Sequence, residues 1–398
     1  MSLEIPQLIP KLQEMAQATA KQVAEFERLL PGAEQALDAL AAMDLQDVGE
    51  KISRAGHSWH GASPSGEALN AIIPPPAAAD EFTVIGADGS QIHPDRHGLA
   101  LYYLVNTGSI LIRHGSGDAP LTTSQPRLFF DEQDLYPGGE TLIGSELVAG
   151  MRDAAEMAEL ARLAEEQRST PTLTMLDNSL LLWIAGRERE HPPAQVEAIK
   201  SEYLQSMQRI QKAGAALAGY IDRPRSASAL RLLHLASLPL ESINDDTLRA
   251  HQFQRLTDRM LFARRLPAGH RSARFGIVSS LNQVFTHAGH GIQFFYLNTG
   301  YQDQIARVEI PDWIGEHQAL LDLVHAGIVE ECRITGMPYV LARAHELAVV
   351  TQPDRQALER ALNAFLLDQG LQAEISQKEK AKRWLGSGRR TARRSPLL

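Results

Sequence analysis

Two aspartates close two apolar, β-branched runs. Asp88 ends VIGAD and Asp177 ends TLTMLD. If those runs are neighbouring parallel strands, both carboxylates leave the same sheet edge. Like charges crowded there repel unless something positive sits between them. A divalent metal is the usual occupant, because hard cations take oxygen ligands. Either aspartate alone is a common turn residue after a strand, so the reading rests on the pair. Between them, Glu156 and Glu159 lie on adjoining faces of a helical stretch, SELVAGMRDAAEMAELARLAEEQ. A helix packed across the sheet can aim one of them at that edge. Spacing does not choose between the two, and Arg152 with Glu156 also fits an ordinary i,i+4 ion pair. Late in the chain, His345 stands in LARAHELAVV, where an imidazole can ligate a metal or move a proton. A satisfied structural histidine is the plainer account, given 14 histidines in the chain. Arg223 and Arg225 bracket Pro224 in GYIDRPRSAS and offer planar forks to phosphate oxygens. A proline-fixed surface turn would explain them equally simply. His57/His60 and His287/His290 have helical-turn spacing but sit among Gly and Ser, and read as loop residues.

The elements that position these residues follow from patterning. The first 55 residues read as helix, with Leu8, Leu12, Met15, Val23, Phe26 and Leu30 on one stripe, a break at Pro31-Gly32 and a resumption from Ala33 to Met43. Such a helix lies on its own core or serves as an arm for a partner. AIIPPPAAAD is a Pro/Ala linker that suits neither helix nor central strand. FTVIGADGSQI is one strand, and GLALYYLVNTGSILIRHG reads as two more, split by Asn106-Thr107-Gly108. A helix over 145–167 follows, with Ser145 placed to cap it. Then come a buried strand ending at Asp177 and a long helix from about Pro193 to Leu217. The order β-β-β-α-β-α is the RNase H-like pattern: a meander, a helix, then a strand joining the first in parallel. Further strands are expected near Phe275–Ser280, Ile292–Leu297 and Ala306–Ile310, and helices over Trp313–Ile334 and 354–370. The organisation is then a helical region at 1–70, a linker at 71–80, a sheet-bearing domain at 81–375 and a basic tail at 376–398.

Bulk properties narrow the class. The chain has 398 residues, 44% hydrophobic and 22% charged, which suits a packed globular core. No apolar run is long enough to cross a bilayer, and the amino terminus does not read as a secretory signal. A single cysteine, Cys332, permits no internal disulfide and points to a reducing, cytoplasmic setting. The net charge of −9 argues against broad nucleic-acid binding. The distribution weakens that objection: Lys378, Lys380, Lys382, Arg383, Arg389, Arg390, Arg393 and Arg394 crowd the tail against one acid, Glu379. There is no GxxxxGK[ST] loop, no CxxC pair and no GxSxG elbow, which sets aside P-loop ATPases, cysteine zinc sites and that class of serine hydrolase.

Five segments in order, VIGADGSQI, TMLDNSLLLW, GYIDRPRS, IARVEIPDW and MPYVLARAHELAVV, resemble the successive blocks of the NurA nucleases. The resemblance implies an α/β fold: an RNase H-like mixed sheet flanked by helices, with an N-terminal helical extension, the NurA domain being residues 81–375. It implies a homodimer that binds Mn2+ or Mg2+, two ions per site. The implied activity is 5′-to-3′ exonuclease and single-strand endonuclease action in DNA end resection during double-strand break repair, beside HerA, a hexameric ATP-driven translocase. Carried over residue by residue, the catalytic and metal-binding set is Asp88, Glu156, Asp177 and His345, with Glu159 as the substitute for Glu156. Asp88 would bridge two ions roughly 3.5–4 Å apart, Asp177 and Glu156 would ligate one or both, and His345 would ligate the second or orient the leaving group. Arg223, Arg225 and the tail would hold the DNA backbone. One departure is visible. The second block usually reads DGS, and Asn178 stands here in place of the glycine. Two rival readings remain: a non-catalytic adaptor that docks a HerA-type ATPase, and an unrelated carboxylate hydrolase acting on sugars or phosphate esters.

Overall fold

Phe82–Ile92 (β3) is rich in β-branched and aromatic residues and buried over its first six positions, as expected of a strand covered on both faces. Its neighbours complete one mixed sheet in the computed structural model, which describes residues 4–371 apart from 57, 97, 99, 168, 169 and 188. The other strands are β1 (Gly61–Pro64), β2 (Ile72–Ile73), β4 (Tyr103–His114), β5 (Leu121–Phe129), β6 (Thr172–Leu176), β7 (Ala216–Ile221), β8 (Arg271–Ser272), β9 (Phe275–Val278), β10 (Ile292–Asn298) and β11 (Ile305–Pro311). Their order is β1-β9-β10-β11-β7-β6-β3-β4-β5, with β8 joining β2 and β10. The pairs β3–β6 and β6–β7 are parallel; the others are antiparallel. The β3-β4-β5 meander, the crossover helix Ser145–Glu166, β6, the helix Pro193–Lys212 and β7 make up the RNase H-like core.

The sheet is covered on both faces. Ser145–Glu166 and Pro193–Lys212 close over Ile85, Ala87, Leu176 and Leu217. Gln318–Cys332 and Tyr339–Ala348 close over Val84, Leu173, Met175 and Ala218. A third apolar cluster joins Leu30, Ala33, Leu37 and Leu40 to the helix Ser228–Ser237 and to Phe275, Phe294 and Tyr296.

Several sequence expectations are corrected. Asn106-Thr107-Gly108 is not a turn. It lies inside β4, where Gly108 pairs with Asp88, and the hairpin turns instead at Gly115 and Gly117, both at positive φ. Gly108 is needed for packing, since a Cβ there would stand 2.4 Å from the Ala348 nitrogen. The helix from Pro193 stops at Lys212, and residues 216–221 are the buried strand β7. Its alanines read as helix formers, but here they are small residues sandwiched between layers. The amino-terminal helix runs through Pro31 from Ile9 to Ala41 without a break. Burial of Leu30, Ala33, Leu37 and Leu40 offsets the lost backbone bond. The region before the linker is not helical throughout, because residues 61–64 add a strand to the sheet. Ser145 is the first helical residue, and Gly144 holds the cap position without a side-chain bond. The expected helix over 313–334 divides into Asp312–Gly315 and Gln318–Cys332.

Candidate active site

β3 and β6 pair in parallel up to Ala87 and Leu176. Asp88 and Asp177 come next; β6 ends there, whereas β3 runs on to Ile92 and keeps Asp88 inside the strand rather than at its closing turn. The two residues thus stand on neighbouring strands about 4.8 Å apart and face the same side. Asp177 is exposed at the surface. Partial desolvation of its carboxyl and the charge of Asp88 push it up to about 6, with Asp222 adding and His345 opposing.

The helix Tyr339–Ala348 reaches this edge because two glycines let it lie flat on the sheet. A Cβ on Gly86 would stand 2.8 Å from the Val340 carbonyl oxygen, and one on Gly108 2.7 Å from that of Ala344. The buried Glu331 carboxylate accepts the Val340 N–H at 2.9 Å and fixes the start of the helix. The result is a 2.7 Å contact between His345 Nδ1 and Asp88 Oδ2. The imidazole is 63% exposed, so its other nitrogen is open to substrate.

Glu156 arrives from the opposite layer. A Cβ on Gly89 would stand 2.6 Å from Glu156 Oε1 and 2.5 Å from Arg152 Cγ. Glycine at 89 therefore makes room for the crossover helix beside Asp88. Glu156 is buried, and burial raises its carboxyl well above the usual range. Asp153 adds to the rise, Arg152 opposes it, and Asp88 and Asp177 add further. Arg152 Nε lies 3.1 Å from Glu156 Oε1. The same guanidinium donates to Asp153 Oδ1 and to Gln91 Oε1, the latter at 3.1 Å.

Glu159 belongs elsewhere. It accepts from Ser109 and Arg162 at 2.8 Å and from Thr123 at 3.2 Å. Against the cost of burial, these bonds hold its carboxyl below the usual range. The spacing that left Glu156 and Glu159 equivalent is resolved by tertiary contact.

Arg223 and Arg225 follow β7, whose carboxyl end lies beside that of β6. Both are exposed and have no hydrogen-bond or ion-pair partner among the described residues. Arg223 adopts φ 44°, in the left-handed region. The loop after Asp177 is tied down by Glu309, which accepts from Ser179 Oγ at 2.7 Å and from the Leu180 N–H at 3.0 Å. Asn178 is not among the residues at positive φ, so the missing glycine costs no backbone strain.

Three contributors escaped sequence reasoning. Asp153 was hidden by its place between Arg152 and Glu156. Asp222 was eclipsed by the arginine beside it, and Glu309 was masked as an ordinary strand residue. An acid inside a largely apolar run, which the structure buries at every position of β11, was the available signal. Among the described residues, no three His, Cys, Asp or Glu side chains already form a closed metal cluster. His290 is buried, His287 is exposed at a helix end, and the pair does not converge. His57 and the basic tail from 376 lie outside the described residues.

This arrangement gathers oxygen donors from two strands and a helix, an exposed imidazole, and two unpaired arginines at one sheet edge. That donor set suits a hard divalent cation. Gly89 provides the close approach that brings Glu156 against the backbone next to Asp88.

The NurA domain model matches residues 82–350. No curated protein sequence matches this chain. Among solved structures, the NurA nuclease from Sulfolobus solfataricus aligns over 90% of this chain and 98% of its own, with TM-score 0.51 and 11% identity. At that identity the likeness speaks for the fold alone. NurA bound to dAMP and manganese aligns over 91% and 98%, with TM-score 0.37 and 13% identity. The catalytic domain of human Endonuclease V aligns over 79% and 95%, with TM-score 0.30 and 11% identity. Scores that low carry no argument.

Proposed function

Since the chain belongs to the NurA family, we propose that it is a divalent-metal-dependent deoxyribonuclease whose active edge is built from Asp88, Glu156, Asp177 and His345. One observation carries the reading: on neighbouring β3 and β6, Asp88 and Asp177 stand close enough that the charge of Asp88 raises the Asp177 carboxyl, and both raise that of Glu156 on the crossover helix. Carboxyl groups perturbed by burial and by one another cluster at functional sites.

Asp88, Glu156 and Asp177 would hold Mn2+ or Mg2+, two ions per site, with His345 at the margin. Bound there, a divalent ion neutralises charge on the phosphoryl oxygens. His345 is held to Asp88 through Nδ1 and presents its outer nitrogen to the substrate, where it orients the leaving oxygen. Arg223 and Arg225 hold the DNA backbone by charge, without reading bases. Glu309 keeps the Asp177 loop in place. The finer reading is 5′-to-3′ exonuclease and single-strand endonuclease action in end resection. In it the chain works as a cytoplasmic homodimer with a HerA-type hexameric ATPase, and family membership is its support. No helix among the described residues is long and apolar enough to cross a membrane.

The alternative is a non-catalytic adaptor for the same ATPase, and the Arg152 contact on Glu156 favours it. Cleavage separates the two. Asp88→Ala should reduce manganese-dependent degradation of linear DNA by about a thousandfold or more while leaving the fold intact. Persistent cleavage in that variant would remove the proposal, and an inert wild type would favour the adaptor.

A further inference from the structure

A second polar cavity, of about 400 Å³, lies beside the helix Ser228–Ser237. That volume falls within the range of small-molecule sites, roughly 300–1,000 Å³. No residue of the sheet-edge site lines it. Ala227, Arg231 and His234 recur at helical spacing along one of its walls, and His251, Arg249 and Asp245 face them. Among the described residues, Asp245 is the only acid in the lining, whereas two arginines and two buried or half-buried imidazoles stand against it.

The two imidazoles stack, with centroids 4.7 Å apart and planes 18° from parallel. The chain fixes the tautomer of each neutral ring. His251 Nδ1 accepts the Phe253 N–H at 2.9 Å, so its proton sits on Nε2. His234 Nε2 faces the Thr247 carbonyl oxygen at 2.8 Å and must donate, which leaves Nδ1 as a bare acceptor. Both remaining nitrogens are buried: His234 Nδ1 has no hydrogen-bond partner among the described residues, and His251 Nε2 has no well-formed one, with only the Leu230 backbone within reach of its ring. His234 is only 6% exposed. Buried polar atoms without a well-formed partner are rare and costly, so two in one cavity call for a reason.

The cavity thus offers one donor, one acceptor and two guanidinium groups. A phosphate monoester in its monoanionic form complements all of these: it carries a P–OH donor, acceptor oxygens and negative charge, and its second ionisation lies near 6. Arginine forks match phosphate oxygens. Burial pushes the His251 imidazole down to about 4, with the neighbouring His234 and Arg231 pushing the same way and the Leu230 backbone opposing. An anion in the cavity would relieve that excess of positive surroundings.

We propose that this cavity is a phosphate-monoester site, separate from the cleavage edge, which takes the phosphate of a free nucleotide or the 5′-terminal phosphate of a DNA strand. The test is calorimetric titration of the full-length protein in chelator with inorganic phosphate, adenosine monophosphate, adenosine, and a short oligonucleotide with and without a 5′ phosphate. Phosphate and adenosine monophosphate should bind saturably and adenosine should not. Arg249→Ala should weaken binding by at least about tenfold, the worth of one charge-assisted bond. Arg249 is exposed, so thermal melting should report an intact fold. His251→Gln gives a second variant, which should also weaken binding. A preference of the oligonucleotide for the phosphorylated end, lost in Arg249→Ala, assigns the site to DNA ends; indifference to the end with retained nucleotide binding assigns it to free nucleotide. Equal binding of adenosine, wild-type affinity in both variants, or loss of binding in Asp88→Asn would overturn the proposal.

Discussion

Glu67 and Glu156 are both glutamates drawn out of water beside arginine, yet their carboxyl groups are pulled in opposite directions. Glu67 accepts from Arg271 at 2.9 Å through both oxygens and from the Arg274 backbone and guanidinium at 2.8 and 3.0 Å. Desolvation opposes its ionisation, but these bonds and the Arg271 charge hold it down at about 2. Glu156 has one arginine, which Asp153 shares, and further acids within electrostatic reach. The first region is a closed ion network that braces β8 and β9. The second is under-neutralised, and the deficit is the mark of a site shaped for a cation rather than for stability.

Removing each carboxylate should sharpen that contrast. Glu67→Ala strands Arg271, whose side chain is 3% exposed, and should cost about 3–5 kcal/mol in urea unfolding. Cleavage per folded molecule should stay unchanged; a parallel loss of activity would erase the distinction between the regions. The pH dependence follows with its sign. The folded-state pKa of Glu67 is depressed from 4.5 to about 2, so its contribution is fully present above 4.5. That contribution, about 3 kcal/mol, is lost as pH falls from about 4.5 towards 2. Wild type and Glu67→Gln should therefore converge in melting temperature across that window, and a constant gap would contradict the assignment.

At the edge the pattern should reverse. Glu156→Gln should reduce cleavage by about a hundredfold with no loss of melting temperature, because a repelling charge is removed. Glu159→Gln should leave cleavage nearly unaltered and cost about 1–2 kcal/mol, because Ser109 and Arg162 lose an acceptor. Swapped outcomes would exchange the roles of the two glutamates. The smallest expected effect is at the arginine loop. Arg223→Ala should make the slope of log affinity for DNA against log salt shallower by about one unit. An unchanged slope would take Arg223 off the backbone contact.

How much of this was legible in the sequence depended on whether the deciding contact was local. Asp177 stood out because a strand end and its turn residue are neighbours in the chain; Asp88 was read in the same way, although β3 runs four residues past it to Ile92 because its later residues pair with β4. The parallel pairing of β3 with β6 followed from the element order. Glu156 and Glu159 were inseparable because Gly89, 67 positions upstream of Glu156, decides which of them meets Asp88. Gly108 looked like a turn because its purpose, admitting the helix that carries His345, lies more than two hundred residues away. β7 was lost inside a helix because alanine favours helices in isolation and crowded layers in a sheet core alike. The phosphate cavity left no motif at all, since it is lined from residues 58–60 and 227–254.

Manganese binding to the full-length protein, followed by electron paramagnetic resonance, tests the divalent-cation edge most directly. Wild type should remove Mn2+ from solution saturably, and the double variant Asp88→Asn, Asp177→Asn should leave it free while melting at or above the wild-type temperature. Equal uptake by both proteins would contradict a cation held between β3 and β6.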